Sequence, residues 1–222
     1  MTEPAAWSQA RKGRRSSAAA TMETLCEPPP HLLASLKHRY SERRRAYHTW
    51  THVEALLKHF RAHQNLLNAP TTVLWALYWH DAIYDPASSE NERNSAKLLR
   101  REANGLLPDE AIADAAAIVE ATAGHHAPDG LPREKDADLK FFLDIDISIF
   151  GQTERAFDAY EAAIREEYSF VPLGIYKSGR AAILKGFLDR EQLYFTGVFK
   201  DQWEEQARKN LRRSIRRLEA IQ

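Results

Sequence analysis

From His31 onward the apolar residues of this chain recur at helical spacing, and the period breaks only where glycine and proline fall. In "VEALLKHF" the residues Val53, Leu56, Leu57 and Phe60 stand at i, i+3, i+4 and i+7. "ERAFDAYEAAIREEY" repeats the pattern with Phe157, Tyr160, Ile164 and Tyr168. The breaks near Pro70, Pro86, Gly105 to Pro108, Gly124 to Gly130, Gly151 and Pro172 to Gly174 divide the chain into roughly seven helices. Only "IDISIF", Ile145 to Phe150, shows any β-like alternation, and it is too short to found a sheet. The expected class is all-α, a helical bundle. Pro70-Thr71-Thr72 and Pro108-Asp109-Glu110 read as helix openings.

A chain of 222 residues with 44% apolar content fills one core and is short for two. The first thirty residues differ: "RKGRRSSAAA" and "CEPPP" have no helical period, and the segment 1–30 is expected to be a disordered basic and proline-rich tail before one domain at 31–222. Met22 offers an alternative translation start. Lys+Arg and Asp+Glu both number 31, so no global field concentrates nucleic acid or an anionic membrane, and any anionic substrate must be held by local charge. A single cysteine, Cys26, excludes an internal disulfide and a thiolate metal cage, and suits a reducing compartment. No apolar run approaches the ~20 residues of a membrane span, so a soluble, cytoplasmic protein is expected. The arginines of the last segment, Arg212, Arg213, Arg216 and Arg217, read as a solvated helix face.

Three places hold ionisable groups that could carry chemistry. His48 and His52 are four residues apart, about 40° around a helix and one turn along it, so both imidazoles can face one point. That suits either a metal pair or a ligand with a catalytic neighbour. His80-Asp81 follows the apolar run Val73, Leu74, Leu77 and Tyr78, where an imidazole and a carboxylate are costly to desolvate unless a cation compensates. A divalent metal would do so. Asp144 and Asp146 lie within "FFLDIDISIFG", about 200° apart on a helix. Only one can face a given site, and Asp144 is the choice, with its neighbour left to cap or brace another helix.

The order H-x(3)-H, then HD, then a buried aspartate on a later helix resembles the HD superfamily of metal-dependent phosphohydrolases. The resemblance runs from Arg44 to Asn210 through "YHTWTHV", "WHDAIYD", "NERNSA", "ATAGHH", "LDIDISIFG", "REEY" and "ARKN". It implies an HD-domain fold, a divalent cation held by His52, His80, Asp81 and Asp144, and hydrolysis of a small phosphate ester or anhydride such as a nucleotide. The "YHxxxH" opening is similar to that of cyclic-nucleotide phosphodiesterases, which makes His48 the group that protonates the leaving oxygen. A mixed His and carboxylate set suits Mn, Mg, Fe, Co or Zn. Asp85 either orients the metal-bound water or only shapes the Asp-Pro turn with Pro86. Lys177 and Arg180, beside Gly179 and read as preceding a helix, either bind phosphate or are solvated loop charges. His125 and His126 contact substrate, bind a second metal, or sit on the surface, and the resemblance keeps Glu92 as a site-lining residue. Two other readings use the same residues: a di-iron oxygenase in which His125 and His126 add ligands, and a nucleotide-binding protein without turnover.

Overall fold

The computed structural model describes residues 25–220; the basic segment and Met22 lie outside them. Among the described residues there are nine α-helices: α1 (Pro30–Arg39), α2 (Trp50–His63), α3 (Pro70–Trp79), α4 (Asn91–Ala103), α5 (Asp109–Ala121), α6 (Arg133–Asp146), α7 (Glu154–Glu167), α8 (Leu173–Leu188) and α9 (Gly197–Glu219). No strand forms among these residues. "IDISIF" runs through the last turn of α6 into a 3-10 turn at Ile147–Gly151. The all-α expectation holds, with two more helices than the sequence period resolves.

Proline sets many of the starts. Pro30 and Pro70 take the first positions of α1 and α3, and Pro108, Pro132 and Pro172 immediately precede α5, α6 and α8. A fixed φ favours the helical start there, and the missing N–H has no intrahelical partner to lose. α3 is the centre of the fold. Every residue from Thr72 to Trp79 is buried, and the helix packs against α2, α4, α5 and α6. A helix apolar on all sides must be enclosed on all sides. The indoles of Trp75 and Trp79 stack on it with centroids 4.9 Å apart. Whatever follows α3 in sequence, His80 and Asp81, is therefore delivered to the middle of the molecule.

The tail boundary expected at residue 30 moves back. The Cys26 N–H donates to Thr71 Oγ1 at 3.2 Å, Trp75 Nε1 donates to the Cys26 carbonyl at 2.8 Å, and the Tyr78 hydroxyl bonds Glu27. Proline-rich sequence has no helical period, yet its backbone groups can still pair with a packed helix. At the other end, Arg213 pairs with Glu154 and Asp158, and Arg217 with Asp158, so half of the arginine group ties α9 to α7.

Gly151 closes the 3-10 turn against α9. A Cβ there would fall 2.6 Å from Trp203 Cγ and 3.1 Å from its Cα, closer than packed carbons approach. Gly151→Ala is expected to destabilise the fold by roughly 1–3 kcal/mol, the cost of overpacking. Gly179→Ala on α8, where a Cβ meets nothing within 4 Å, should be neutral or stabilising. Thermal melts of the two variants beside the parent check the contrast.

Candidate metal centre

Three elements meet at one point. The first turn of α2 brings His52, the residues after α3 bring His80 and Asp81, and the last residue of α6 is Asp146. His80 Nε2 lies 3.0 Å from Asp81 Oδ2 and 3.6 Å from Asp146 Oδ1. His52 Nε2 lies 3.2 Å from Asp146 Oδ1 and 4.0 Å from Asp81 Oδ2. His52 and His80 are 5% and 1% exposed. One ligand atom from each of His52, His80 and Asp81 falls within 4.8 Å of the others, so this group can hold a metal ion. Neighbouring ligands on a divalent ion with bonds of about 2.1 Å stand about 3.0–3.4 Å apart, which is the scale of the short separations here.

The wiring of His80 supports that use. Its Nδ1 is 2.8 Å from the Leu77 carbonyl, which can only accept, so this nitrogen carries the proton. Nε2 then turns toward two carboxylates, and this buried atom makes no hydrogen bond. A carbonyl on the far nitrogen is the usual brace of a metal-binding imidazole. Burial alone would lower the pKa of His80, but Asp81 and Asp146 override it and lift it to about 9. Burial opposes the charge of Asp81 and Asp146 as well, yet the imidazoles hold both carboxyls below the usual carboxylate range. Two ionised carboxylates thus draw positive charge into their midst, as a second proton on His80 or as a cation.

The structure reverses the expected choice between the two aspartates. Asp144 is completely buried but faces away from the cluster. Its oxygens accept the Phe195 N–H at 2.7 Å, and the Thr196 N–H and hydroxyl at 2.8 and 2.6 Å. Burial pushes its carboxyl up to about 6, against the pull of these donors. Helical geometry rightly requires the two to face opposite ways, but does not say which way α6 is rolled. Asp144 braces the start of α9, and Asp146 joins the cluster.

Asp85 is also corrected. Its Oδ1 accepts the Ala87 N–H at 3.1 Å, its Oδ2 is 3.5 Å from Arg44, and its own N–H donates to Asn91 Oδ1. It shapes the turn into α4 and does not line the cavity beside the cluster. Lys177 and Arg180 lie inside α8, not before a helix, so no free backbone N–H groups accompany them. Lys177 is not at the cavity. Arg180 lines it but is fastened to Glu161 at 3.1 Å through Nε and to the Tyr160 hydroxyl at 2.7 Å. Glu92, in the first turn of α4, and His126 both line the cavity. His125 reaches the cluster: its Nε2 is 2.9 Å from Asp146 Oδ2, while Arg190 holds its carbonyl.

His48 sits in the turn before α2, with its ring 6.2 Å from that of His52. Its Nδ1 is 2.7 Å from Glu167 Oε2, which also accepts the Tyr84 hydroxyl at 2.7 Å. The other oxygen of Glu167 accepts the backbone N–H groups of Ala46 and Tyr47 at 2.8 Å, and of His48 at 3.0 Å. Sequence reasoning overlooked Glu167. Its signal was present: three residues after Ile164, it is a carboxylate on the apolar stripe of α7. Arg45, which donates to the carbonyls of His48, Asp81 and Ala82, gave no such signal.

A cavity of about 930 Å³ opens beside the cluster, lined by His48, His52, Asp81, Tyr84, Glu92, His125, His126 and Asp146 among others. Compared with known proteins, the chain matches no family model, no curated protein and no solved structure.

Burial opposes ionisation of Glu167, but its bond to His48 prevails and depresses its pKa from 4.5 to about 2. A depressed carboxylate contributes stability that is present above its unfolded pKa and lost as pH falls through the folded value. Unfolding free energy should therefore drop between about pH 4.5 and pH 2. Glu167→Ala should cost roughly 3–5 kcal/mol at neutral pH, because it leaves buried donors unpaired. Denaturant titrations of both proteins across this range measure the two effects.

Proposed function

We propose that the chain is a divalent-metal-dependent phosphohydrolase of the HD type, acting on a small phosphate ester or anhydride such as a nucleotide. The observation that carries this is the convergence of His52, His80, Asp81 and Asp146 around the unpaired His80 Nε2, at the edge of a ligand-sized cavity. The motif resemblance points the same way. The mixed imidazole and carboxylate set suits Mn, Mg, Fe, Co or Zn.

When bound, a divalent ion would lower the pKa of a water and neutralise a phosphate oxygen. The chain's own contribution is proton handling and position. Glu167 fixes the Nδ1 proton of His48, so the cavity-lining imidazole presents Nε2 to substrate. Burial disfavours a charged His48, but Asp81 and Glu167 raise its pKa, which keeps a transferable proton on the ring. In the reaction the water oxygen bonds to phosphorus. The ester oxygen leaves with the electron pair of its broken P–O bond and takes the His48 proton. A proton of the water then restores the His48–Glu167 pair. Protonating a leaving group in this way contributes typically 10²–10⁴-fold.

One contact favours a second reading. His125 bonds the outer oxygen of Asp146, so these two residues would be placed to hold a second ion, which a di-iron oxygenase would need. Two irons per chain and oxygen-dependent turnover would decide for it, and nucleotide binding without product would decide for a non-catalytic protein.

His52→Ala and His48→Ala separate the roles. His52→Ala should lose metal and activity together, since too few ligands remain for a labile ion. His48→Ala should keep its metal and lose roughly 10²–10⁴ in turnover. Elemental analysis of protein purified without chelator, read beside phosphate release over a panel of nucleotides, gives both results. A metal-free His48→Ala protein or a metal-replete His52→Ala protein would contradict the assignment.

A further inference from the structure

The cavity has a second wall that the metal centre does not explain. On α8, Ile175, Gly179, Ile183 and Gly186 recur at i, i+4, i+8 and i+11, on one helical face, and all four line the cavity. Ile175 and Ile183 are 67% and 54% exposed, and a Cβ on either glycine would meet nothing within 4 Å. Phe187 on the same helix carries this surface to the centre, with its ring 5.6 Å from His125 and 5.1 Å from Phe150. The apolar face is thus continuous with the polar cluster inside one cavity.

The two arginines of the cavity are already engaged. Arg180 is bound by Glu161 and Tyr160. Arg190 donates to the carbonyls of His125 and Gly124, with its guanidinium 4.4 Å from the Phe187 ring centroid. Among the described residues no lysine lines the cavity, whereas Glu92 and Asp189 add negative charge to that of the cluster. Polyphosphate recognition needs several charge-assisted donors free to turn to the ligand. Among the described residues, the anion site is the one a metal would make, with His48 Nε2 beside it.

We infer that the preferred ligand carries a single phosphate group joined to a large apolar body: a phosphate monoester of an aromatic or long-chain alcohol, its phosphate at the His52–His80–Asp81–Asp146 cluster and its apolar body along Ile175, Ile183 and Phe187. As a substrate class this rests on the hydrolase reading above; as a binding preference it does not. Burial of apolar surface beside a fixed polar anchor makes affinity grow with the apolar group, by about three- to four-fold for each fully buried methylene.

The test uses the full chain loaded with manganese. Calorimetry measures affinity for methyl, butyl and hexyl phosphonate, which cannot be hydrolysed, and for the manganese complex of inorganic triphosphate. Phosphate release is followed in parallel from methyl and hexyl phosphate. Affinity should rise at least ten-fold from methyl to hexyl, and hexyl phosphonate should bind more tightly than the triphosphate complex. Ile183→Ser, a change at an exposed position that the fold tolerates, should cut the hexyl-to-methyl affinity ratio by three-fold or more. A flat series, tighter triphosphate binding, or an unchanged ratio in Ile183→Ser would overturn the inference. A rising phosphonate series with no phosphate released from any ester would uphold the binding preference and end the hydrolase reading instead.

Discussion

Two ionised carboxylates buried beside two imidazoles are the constraint on which the centre of this molecule depends. An isolated charge removed from water costs several kcal/mol even after the protein relaxes, so Asp81 and Asp146 must share positive charge. His80 is the group placed to supply it, lifted to about 9 by its two acidic neighbours, but its Nε2 has no aligned acceptor. A divalent ion held by His52, His80 and Asp81 would satisfy the same demand. The enclosed helix α3 makes this unavoidable: burial on every side from Thr72 to Trp79 places the next two residues in the interior whatever their chemistry.

Around that centre the fold spends its polar side chains on position. Glu167 gathers three backbone N–H groups, His48 and Tyr84 at one carboxylate, which joins the end of α7 to the turn before α2. Arg45 ties the carbonyl of His48 to those of Asp81 and Ala82. Asp144 pins the start of α9 one helical side away from Asp146. Glu167 and Arg45 each hold a backbone segment that carries a member of the cluster or its neighbour. The geometry of the centre is therefore set at the helix ends.

Much of this was legible in the chain. Apolar spacing and proline placement marked the helices, since both act locally, and the openings at Pro70 and Pro108 appear where the sequence puts them. His80 and Asp81 were legible because polar residues in apolar surroundings need partners, and His52 through its spacing from His48 and the motif resemblance. What failed depends on long-range packing. The 200° between Asp144 and Asp146 was readable, but the roll of α6 against α2 and α9 was not. Asp85 and Arg180 were misplaced because a charge that finds a local partner looks, in sequence, like one that awaits a ligand. The proline-rich stretch before α1 read as tail because its order comes from hydrogen bonds to α3 rather than from its own period.

The central claim is that a divalent cation completes the buried cluster, and its most direct test is calorimetric melting of the chain as purified, after chelation, and after metal is restored. Binding to the native state alone adds about 2.7 kcal/mol when free ligand is one hundred times its dissociation constant. For a domain of this size that corresponds to roughly 5–10 °C in Tm. The account predicts a fall of this order on chelation, full recovery on adding one equivalent of a suitable divalent ion, and no such response in Asp146→Asn. An unchanged Tm through the cycle, in protein that carries no metal at any stage, would contradict it.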